Sequence, residues 1–203
     1  GPAPPSENET RMTSHDQTPP GQAHVSQRLE HFPIPFFAVV MGLSGMTLAL
    51  HQGEAQLGIT SAVSAVSLAI TVVVFVAVTL LYGLKAMRHP TAVASEWRHP
   101  VKLAFFPAAT ISLLLIATAL LPFHRDVARL VWLVGAVGQA GLTLAVLSNW
   151  IGHRSFQPVH ISPAWFIPAV GNVIAPVAGV SLGFVETSWI FFSAGLVFWI
   201  VLL

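Results

Sequence analysis

The sequence contains no cysteine, which excludes disulfides, thiolate chemistry and cysteine-ligated metal sites. Charge is also scarce, because only 8% of the 203 residues are Asp, Glu, Lys or Arg, whereas about a quarter are charged in soluble domains. Hydrophobic residues make up 54% of the chain. This balance predicts an integral membrane protein. We predict no catalytic residues, no cofactor, no metal site and no nucleic-acid partner, and therefore no enzyme.

The apolar residues are gathered into six stretches that follow a polar N-terminal segment. Residues 1–30 are rich in Pro, Ser, Thr, Gln and charge, and we predict a disordered cytoplasmic arm there. Residues 31–203 are predicted to form an all-α transmembrane domain, because each stretch reaches or approaches the ~20 residues that a helix needs to cross a bilayer. The predicted spans are roughly 32–51, 59–84, 103–122, 130–150, 161–185 and 187–203.

Basic residues are divided unequally between the two sides of these spans. Only Arg125 and Arg129 fall on one side, and the remaining Lys and Arg residues fall on the other. By the positive-inside rule, the more basic side and the N-terminus are cytoplasmic. We therefore predict a multi-pass protein of the plasma (cell inner) membrane, surrounded by lipid. The residues on the more basic side are Arg11, Arg28, Lys85, Arg88, Arg98, Lys102 and Arg154.

Prolines occur within the first, third and fifth spans and not within the others. A proline removes a backbone N–H, which is tolerated in a bilayer only where other helices, hydroxyl groups or water compensate for it. Each odd span also begins with an aromatic pair beside proline, which predicts a repeated hairpin. We predict tandem transmembrane hairpins with proline-kinked inner (odd) helices and straight outer (even) helices around a pore. The alternative is that these residues are ordinary interfacial aromatics and membrane prolines.

The charged residues lie in the arm, in loops or at span boundaries, so the predicted lumen carries no fixed charge. This argues against a proton-coupled pump built on buried carboxylates. A permeating ion would meet hydroxyls, Asn172, backbone groups and aromatic faces, and weak binding at several such sites is typical of a channel. Anions are favoured because carboxylates that would attract cations are missing. The sequence therefore predicts passive conduction of small monovalent anions.

The candidate pore-lining residues are the aromatic, proline and polar positions of the odd spans. For the polar ones the alternative is a hydrogen bond to their own backbone or to a neighbouring helix. Three glycines recur at every third position of the fourth span, and we predict that they allow close helix packing. The lining candidates are Phe36, Phe37, Thr47, Phe106, Pro107, Thr110, Phe166, Pro168 and Asn172, and the packing candidates are Gly135, Gly138 and Gly141.

Nine histidines raise a different possibility, a haem-binding membrane electron carrier in which two imidazoles ligate iron. The pair would have to be His51 and His124, which are predicted at comparable depth at the outer boundary. No second pair faces them, and most of the other histidines lie in predicted loops. Metal ligation by His153 and His160 lacks a third ligand, and these two residues are expected to be solvated or at the headgroups. A non-conducting half-protein is a further alternative.

Two segments resemble known helices. Residues 105–115, from Phe105-Phe106-Pro107 to Leu115, and residues 163–172, which end in Gly171-Asn172, are similar to the third and fifth helices of the tellurite-resistance/dicarboxylate transporter family. That family includes TehA-like proteins and slow-type anion channels. The resemblance covers roughly 31–203 and implies ten helices in five hairpins, a pore lined by the five odd helices and a homotrimer. It implies flow of monovalent anions or, in other members, transport of C4-dicarboxylates such as malate, and a link to tellurite resistance.

The sequence departs from the family pattern because only three hairpins are present. The pore-blocking phenylalanine of the family belongs to its ninth helix, so no gate residue is assigned here. We expect the chain to be part of a ten-helix fold that is incomplete at its C-terminal end, or to be completed by another chain.

Overall fold

The computed structural model describes residues 29–152 and 162–203, and every regular element within these ranges is helical. The predicted arm, apart from its last two residues, lies outside the described ranges, as do His153, Arg154 and His160. The chain divides into two units, 1–32 and 33–203. The second unit contains α1 (Phe37–Leu57), α2 (Ala62–Arg88), α3 (Pro90–Arg98), α4 (Pro107–Leu120), α5 (Arg125–Gly152), α6 (Phe166–Ser181) and α7 (Val185–Leu202).

Six helical segments of the described chain are long and apolar enough to cross a membrane, which confirms the predicted all-α membrane fold. The remaining helix, α3, is short and lies between the second and third spans, where the sequence predicts only a loop. Pro90 starts α3, and a proline at this position costs no intrahelical hydrogen bond. The six spans are Ile34–Leu57, Ala62–Arg88, Lys102–Leu120, Arg125–Trp150, Pro163–Ser181 and Val185–Leu202.

Short turns join the spans into three hairpins, α1 with α2, α4 with α5 and α6 with α7, and the two helices of each hairpin pack against each other. Gly58 ends α1 at φ 66°, and its N–H bonds back to the last turn of the helix. Gly183, at φ 92°, lies in the turn between α6 and α7. Glycine adopts this left-handed backbone without steric cost, so both turns depend on it.

The odd spans form an inner row. Helix α4 packs against both α1 and α6, and its span is the most enclosed, with 61% of its residues buried against 17% for the span of α7. Helices α2, α5 and α7 expose large apolar side chains such as Val73, Val137 and Ile200, as expected for surfaces in contact with lipid. The hairpin order therefore places α1, α4 and α6 side by side, each with an outer helix packed against it.

All three inner spans begin in the same way, with a short 3₁₀ turn that leads into the α-helix: Ile34–Phe36, Lys102–Phe105 and Pro163–Trp165. Pro107 is the first residue of α4 and Pro168 lies in the first turn of α6, where a missing N–H breaks no helical bond. Within the described helices, only Pro176 of α6 lies in a helix interior. Most of these prolines therefore lie at the starts of the inner helices, and only α6 carries a proline at an interior position, where a kink is expected.

Candidate functional site

The inner helices start at the same end of the bundle as the 3₁₀ turns and α3. We call this the basic end, because Lys85, Arg88, Arg98 and Lys102 lie there. The aromatic lining candidates also lie at the basic end but differ in exposure. Phe36 is 44% exposed, Phe106 and Phe166 are half-buried, and Phe37 is buried.

Two of these aromatic rings meet on Tyr82 of α2. The Tyr82 ring contacts Phe37 of α1 edge to face at 6.2 Å between centroids, and Phe106 of α4 at 6.3 Å. Trp97 of α3 contacts the same Phe106 ring at 4.8 Å and 85°. Phe37 also contacts Phe75 of α2. Such edge-to-face pairs are worth more than their buried area alone, so the rings fix one another's positions.

A buried ion pair lies behind these rings. Lys85 Nζ is 2.9 Å from Glu96 Oε1, and the two side chains are only 1% and 6% exposed. The Tyr82 hydroxyl donates to the other carboxylate oxygen, Oε2, at 2.9 Å. Removing two charges from water costs several kcal/mol per ion, roughly, and this cost is recovered only with good geometry and further hydrogen bonds. Lys85, Glu96 and Tyr82 meet that condition together.

The polar candidate of α1 faces the outer helix of its own hairpin. Thr47 Oγ1 lies 2.8 Å from Ser67 Oγ and 3.3 Å from Thr71 Oγ1, both on α2. It also donates to the Leu43 carbonyl at 2.9 Å. Thr47 is 1% exposed. The structure therefore places this hydroxyl in the contact between α1 and α2.

The polar candidates of α4 and α6 belong to one hydrogen-bond network centred on Gln139 of α5. Thr110 donates to Gln139 Oε1 at 2.7 Å, and Gln139 Nε2 donates to the Pro168 carbonyl at 3.1 Å. Asn172 Nδ2 donates to the same carbonyl at 2.8 Å and to Thr143 Oγ1 of α5 at 3.1 Å. Gln139 therefore joins two inner helices through an outer one.

The three packing glycines have different surroundings. A Cβ added at Gly138 would lie 2.7 Å from Thr110 Cγ2, and one at Gly135 would lie 3.2 Å from the Leu113 and Leu114 side chains. Nothing lies within 4 Å of a Cβ added at Gly141. Gly135 and Gly138 are thus the positions at which α5 approaches α4 closely.

The opposite end of the bundle is held by different contacts. Glu54, in the last turn of α1, accepts hydrogen bonds from the backbone N–H groups of Val63 at 2.8 Å and Ser64 at 3.2 Å, and so caps the start of α2. Trp132 of α5 donates to the Ala175 carbonyl of α6 at 2.8 Å, and its ring stacks on Phe184 at 4.7 Å. The described residues include no cluster of three or more His, Asp or Glu side chains suited to a metal ion.

The sequence predictions did not include Gln139, Tyr82 or Glu96 among the residues of the site. For Gln139 a signal was available, since a lone amide inside a long apolar span must find a buried partner. Tyr82, the single tyrosine, and Glu96 gave no such signal, because both lie near a span boundary where polar residues are normally solvated. Their connection depends on α3 folding back on α2.

Charges are confined to the span ends throughout the described helices. Between these ends the helices carry uncharged and largely apolar side chains, and Thr47, Thr110 and Asn172 hydrogen-bond to neighbouring helices. The middle of the described spans therefore offers no charged group for a proton relay. The charged residues within the six spans are Glu54, Lys85, Arg88, Lys102, Arg125, Asp126, Arg129 and Glu186.

The family model described as "Voltage-dependent anion channel" matches residues 31–203. The chain is 29% identical over 184 residues to the S-type anion channel SLAH2 of Arabidopsis thaliana, covering 86% of this chain and 35% of that protein. It is 26% identical over 190 residues to the tellurite resistance protein TehA homolog of Haemophilus influenzae, covering 88% of this chain and 58% of that protein.

A further relative, the guard cell S-type anion channel SLAC1 of Arabidopsis thaliana, is 27% identical over 184 residues, which is 85% of this chain and 33% of that protein. The chain thus spans between about a third and three-fifths of the length of these relatives. The match over 31–203 covers all the described helices and confirms the resemblance found in the sequence. The chain belongs to the SLAC1 family of voltage-dependent anion channels, a family of membrane transport proteins rather than enzymes.

Proposed function

We propose that this chain contributes to a channel through which small monovalent anions pass down their gradient, and that α1, α4 and α6 line the conducting lumen. The observation that carries the proposal is the row of three inner helices with matching 3₁₀ starts, each backed by an outer helix. Family membership supports anions as the transported species.

The aromatic positions at the basic end form the proposed mouth. At the starts of the three inner helices Phe36 is exposed, and Phe106 and Phe166 are half-buried. Phe37 lies behind them against α2. In this arrangement Pro107 and Pro168 lie in the first turns of the lining helices α4 and α6. Thr47, Thr110 and Asn172 hold the lining helices to the outer layer. The positive-inside rule makes the basic end, and with it the N-terminus, cytoplasmic in the plasma membrane.

Uncharged walls impose a definite selectivity. Without fixed charges to compensate for lost water, the energetic cost of entry is set by dehydration of the ion, so large and weakly hydrated anions enter more readily than chloride. Cations meet no carboxylate within the middle of the described spans. We therefore propose that iodide and nitrate permeate better than chloride, with no coupled co-substrate.

Transport of a C4-dicarboxylate or of tellurite is the second candidate. The family resemblance implies the dicarboxylate, and the match to a tellurite resistance protein supports tellurite. A dianion is more strongly hydrated than nitrate and would need cationic groups to bind it. Those groups lie only at the span ends of the described chain, so the uncharged middle favours the monovalent ions. We also propose that the chain assembles as a homotrimer, because the family resemblance implies one.

The absence of cysteine allows a direct test of the lining. Single cysteines at Phe36 and Phe166 are compared with one at Leu80, an outer position of α2 that is 67% exposed. Attaching a negatively charged, membrane-impermeant thiol reagent at a lining position should reduce nitrate flux into liposomes on the order of tenfold, because a like charge is fixed in the lumen. A positively charged reagent should not reduce it.

The Leu80→Cys protein should be unaffected by either reagent. Equal inhibition at Leu80, or inhibition that does not depend on the sign of the reagent, would contradict the lining. Malate and tellurite are measured in the same liposomes, and their transport in preference to nitrate would favour the second candidate.

A further inference from the structure

The contacts of α3 join a loop helix to the aromatic rings at the basic end. Through Glu96 it holds the Tyr82 hydroxyl, and through Trp97 it contacts Phe106 directly. Phe106 is thereby held on two sides, by Tyr82 of α2 and by Trp97 of α3. Phe106 itself precedes Pro107, the first residue of the central inner helix.

We propose that Glu96 is a positioning residue for this mouth: held by Lys85, it fixes Tyr82 and thereby the Phe106 ring at the entrance of the lumen. This proposal rests on the proposed function, because it assigns a role in conduction to a ring at the basic end.

The burial of the ion pair supports this role more than a role in stability. A buried pair is often replaceable by apolar side chains of similar volume without loss of stability, so its presence is weak evidence for stabilisation. The geometric requirement on the Glu96 carboxylate is separate from its contribution to stability. Glu96 uses one oxygen for Lys85 and the other for Tyr82, so the carboxylate orients both partners at once.

The orientation of Tyr82 has consequences for two inner helices. Its ring contacts Phe37 of α1 and Phe106 of α4, and Lys85 Nζ lies 5.5 Å from the ring centroid. A rotation of Tyr82 would therefore release contacts to both helices. Because Trp97 and Glu96 are adjacent residues of α3, a displacement of that helix would act on Phe106 by both routes.

The chain offers a specific probe for this arrangement, because Tyr82 is its single tyrosine. Protein that incorporates 3-fluorotyrosine gives one ¹⁹F signal, which reports the rings and the carboxylate around position 82. This signal is measured together with single-channel nitrate conductance. Three variants are compared with the parent chain. Conductance is measured in Tyr82→Phe, and the ¹⁹F signal is measured in Phe106→Ala. Both are measured in the double variant that combines Lys85→Met with Glu96→Leu.

The double variant removes both charges and leaves neither one buried without its partner. Thr79→Val, an exposed hydroxyl removal on α2 close to Tyr82, is the matched control. We expect the ¹⁹F signal to shift in the double variant and in Phe106→Ala. We expect conductance to change about twofold to tenfold in Tyr82→Phe, the range that loss of one hydrogen bond produces in the population of a positioned side chain.

Two results would overturn the positioning role. The first is a ¹⁹F signal that the double variant does not shift. The second is parental conductance in Tyr82→Phe together with a loss of thermal stability that is the same in Tyr82→Phe as in Thr79→Val. If the parent chain conducts and its variants do not differ from it, only this proposal fails. If the parent chain carries no anion current, the proposed function fails and the conduction role fails with it, whatever the ¹⁹F signal shows.

Discussion

Gly171 of α6 lies directly against the side chain of Gln139 of α5: a Cβ added at Gly171 would be 2.2 Å from Gln139 Nε2, and Gln139 is fully buried. The glycine therefore leaves the space in which the amide reaches the Pro168 carbonyl. A side chain at position 171 would therefore occupy the space that the Gln139 amide fills.

Gly171→Ala is expected to lower stability by about 1–3 kcal/mol, because the added methyl group forces Gln139 away from its partners in a packed core. Gly141→Ala is the matched control on α5, where nothing lies within 4 Å of the added Cβ. It should be neutral or stabilising by a few tenths of a kcal/mol, roughly, since alanine favours the helix. Thermal unfolding in detergent measures both, and equal losses would contradict the packing of Gly171.

Gln139→Leu keeps a similar volume but removes the bonds to Thr110, Thr143 and Pro168. We expect a loss of about 1–2 kcal/mol, because interhelical hydrogen bonds in membranes are individually modest and these act together. Thr118→Val is the comparison, since Thr118 donates only to Leu114 of its own helix in the described contacts. Unfolding in increasing SDS distinguishes them, and an equal response would show that Gln139 does not join α4 to α6.

Glu54→Gln tests the cap of α2. The carboxylate accepts two backbone N–H groups at the positive end of that helix, so loss of its charge should cost about 0.5–2 kcal/mol. Glu186 lies in the first turn of α7, likewise near the positive end of a helix, but it is exposed. Glu186→Gln should change stability by less than about 0.5 kcal/mol. Equal effects of the two substitutions on thermal unfolding would contradict the cap.

Trp132→Phe removes the bond to the Ala175 carbonyl and weakens the stack on Phe184. We expect a loss of about 2 kcal/mol, because a buried carbonyl loses its indole partner and a gap remains in the core. Trp189→Phe, at a site 61% exposed, should be nearly neutral. Denaturation followed by circular dichroism tests the difference, which would vanish if Trp132 did not hold α5 to α6.

The parts of the fold that depend on local composition could be predicted from the sequence. Apolar length specifies the six spans, and the proline-aromatic recurrence identifies the three inner ones, whose 3₁₀ starts the structure shows at Ile34–Phe36, Lys102–Phe105 and Pro163–Trp165. The end of α1 was less predictable. Glu54 resembles a loop residue in sequence, but as the cap of α2 it lies within the last turn of α1, which continues to Leu57.

The contacts of the candidate site could not be predicted, because they join residues far apart in the chain. Hydroxyl and amide side chains at Thr47, Thr110 and Asn172 can serve a lumen or a neighbouring helix, and their sequence environment is the same in both cases. Partners far away in the sequence, such as Ser67 and Gln139, determine that these side chains bond to a neighbouring helix. Glu96 is a similar case, since its burial depends on Lys85 and on the packing of α3 against α2.

The proposed conduction of anions through an uncharged lumen is tested by the reversal potential of the current across a bilayer. The purified 203-residue chain is reconstituted in planar bilayers under a potassium nitrate gradient, and the reversal potential of the current is recorded. We predict a reversal potential near the nitrate equilibrium potential, with larger currents in nitrate or iodide than in chloride. A reversal potential near that of potassium, or no current from protein shown to be folded by circular dichroism, would contradict the claim.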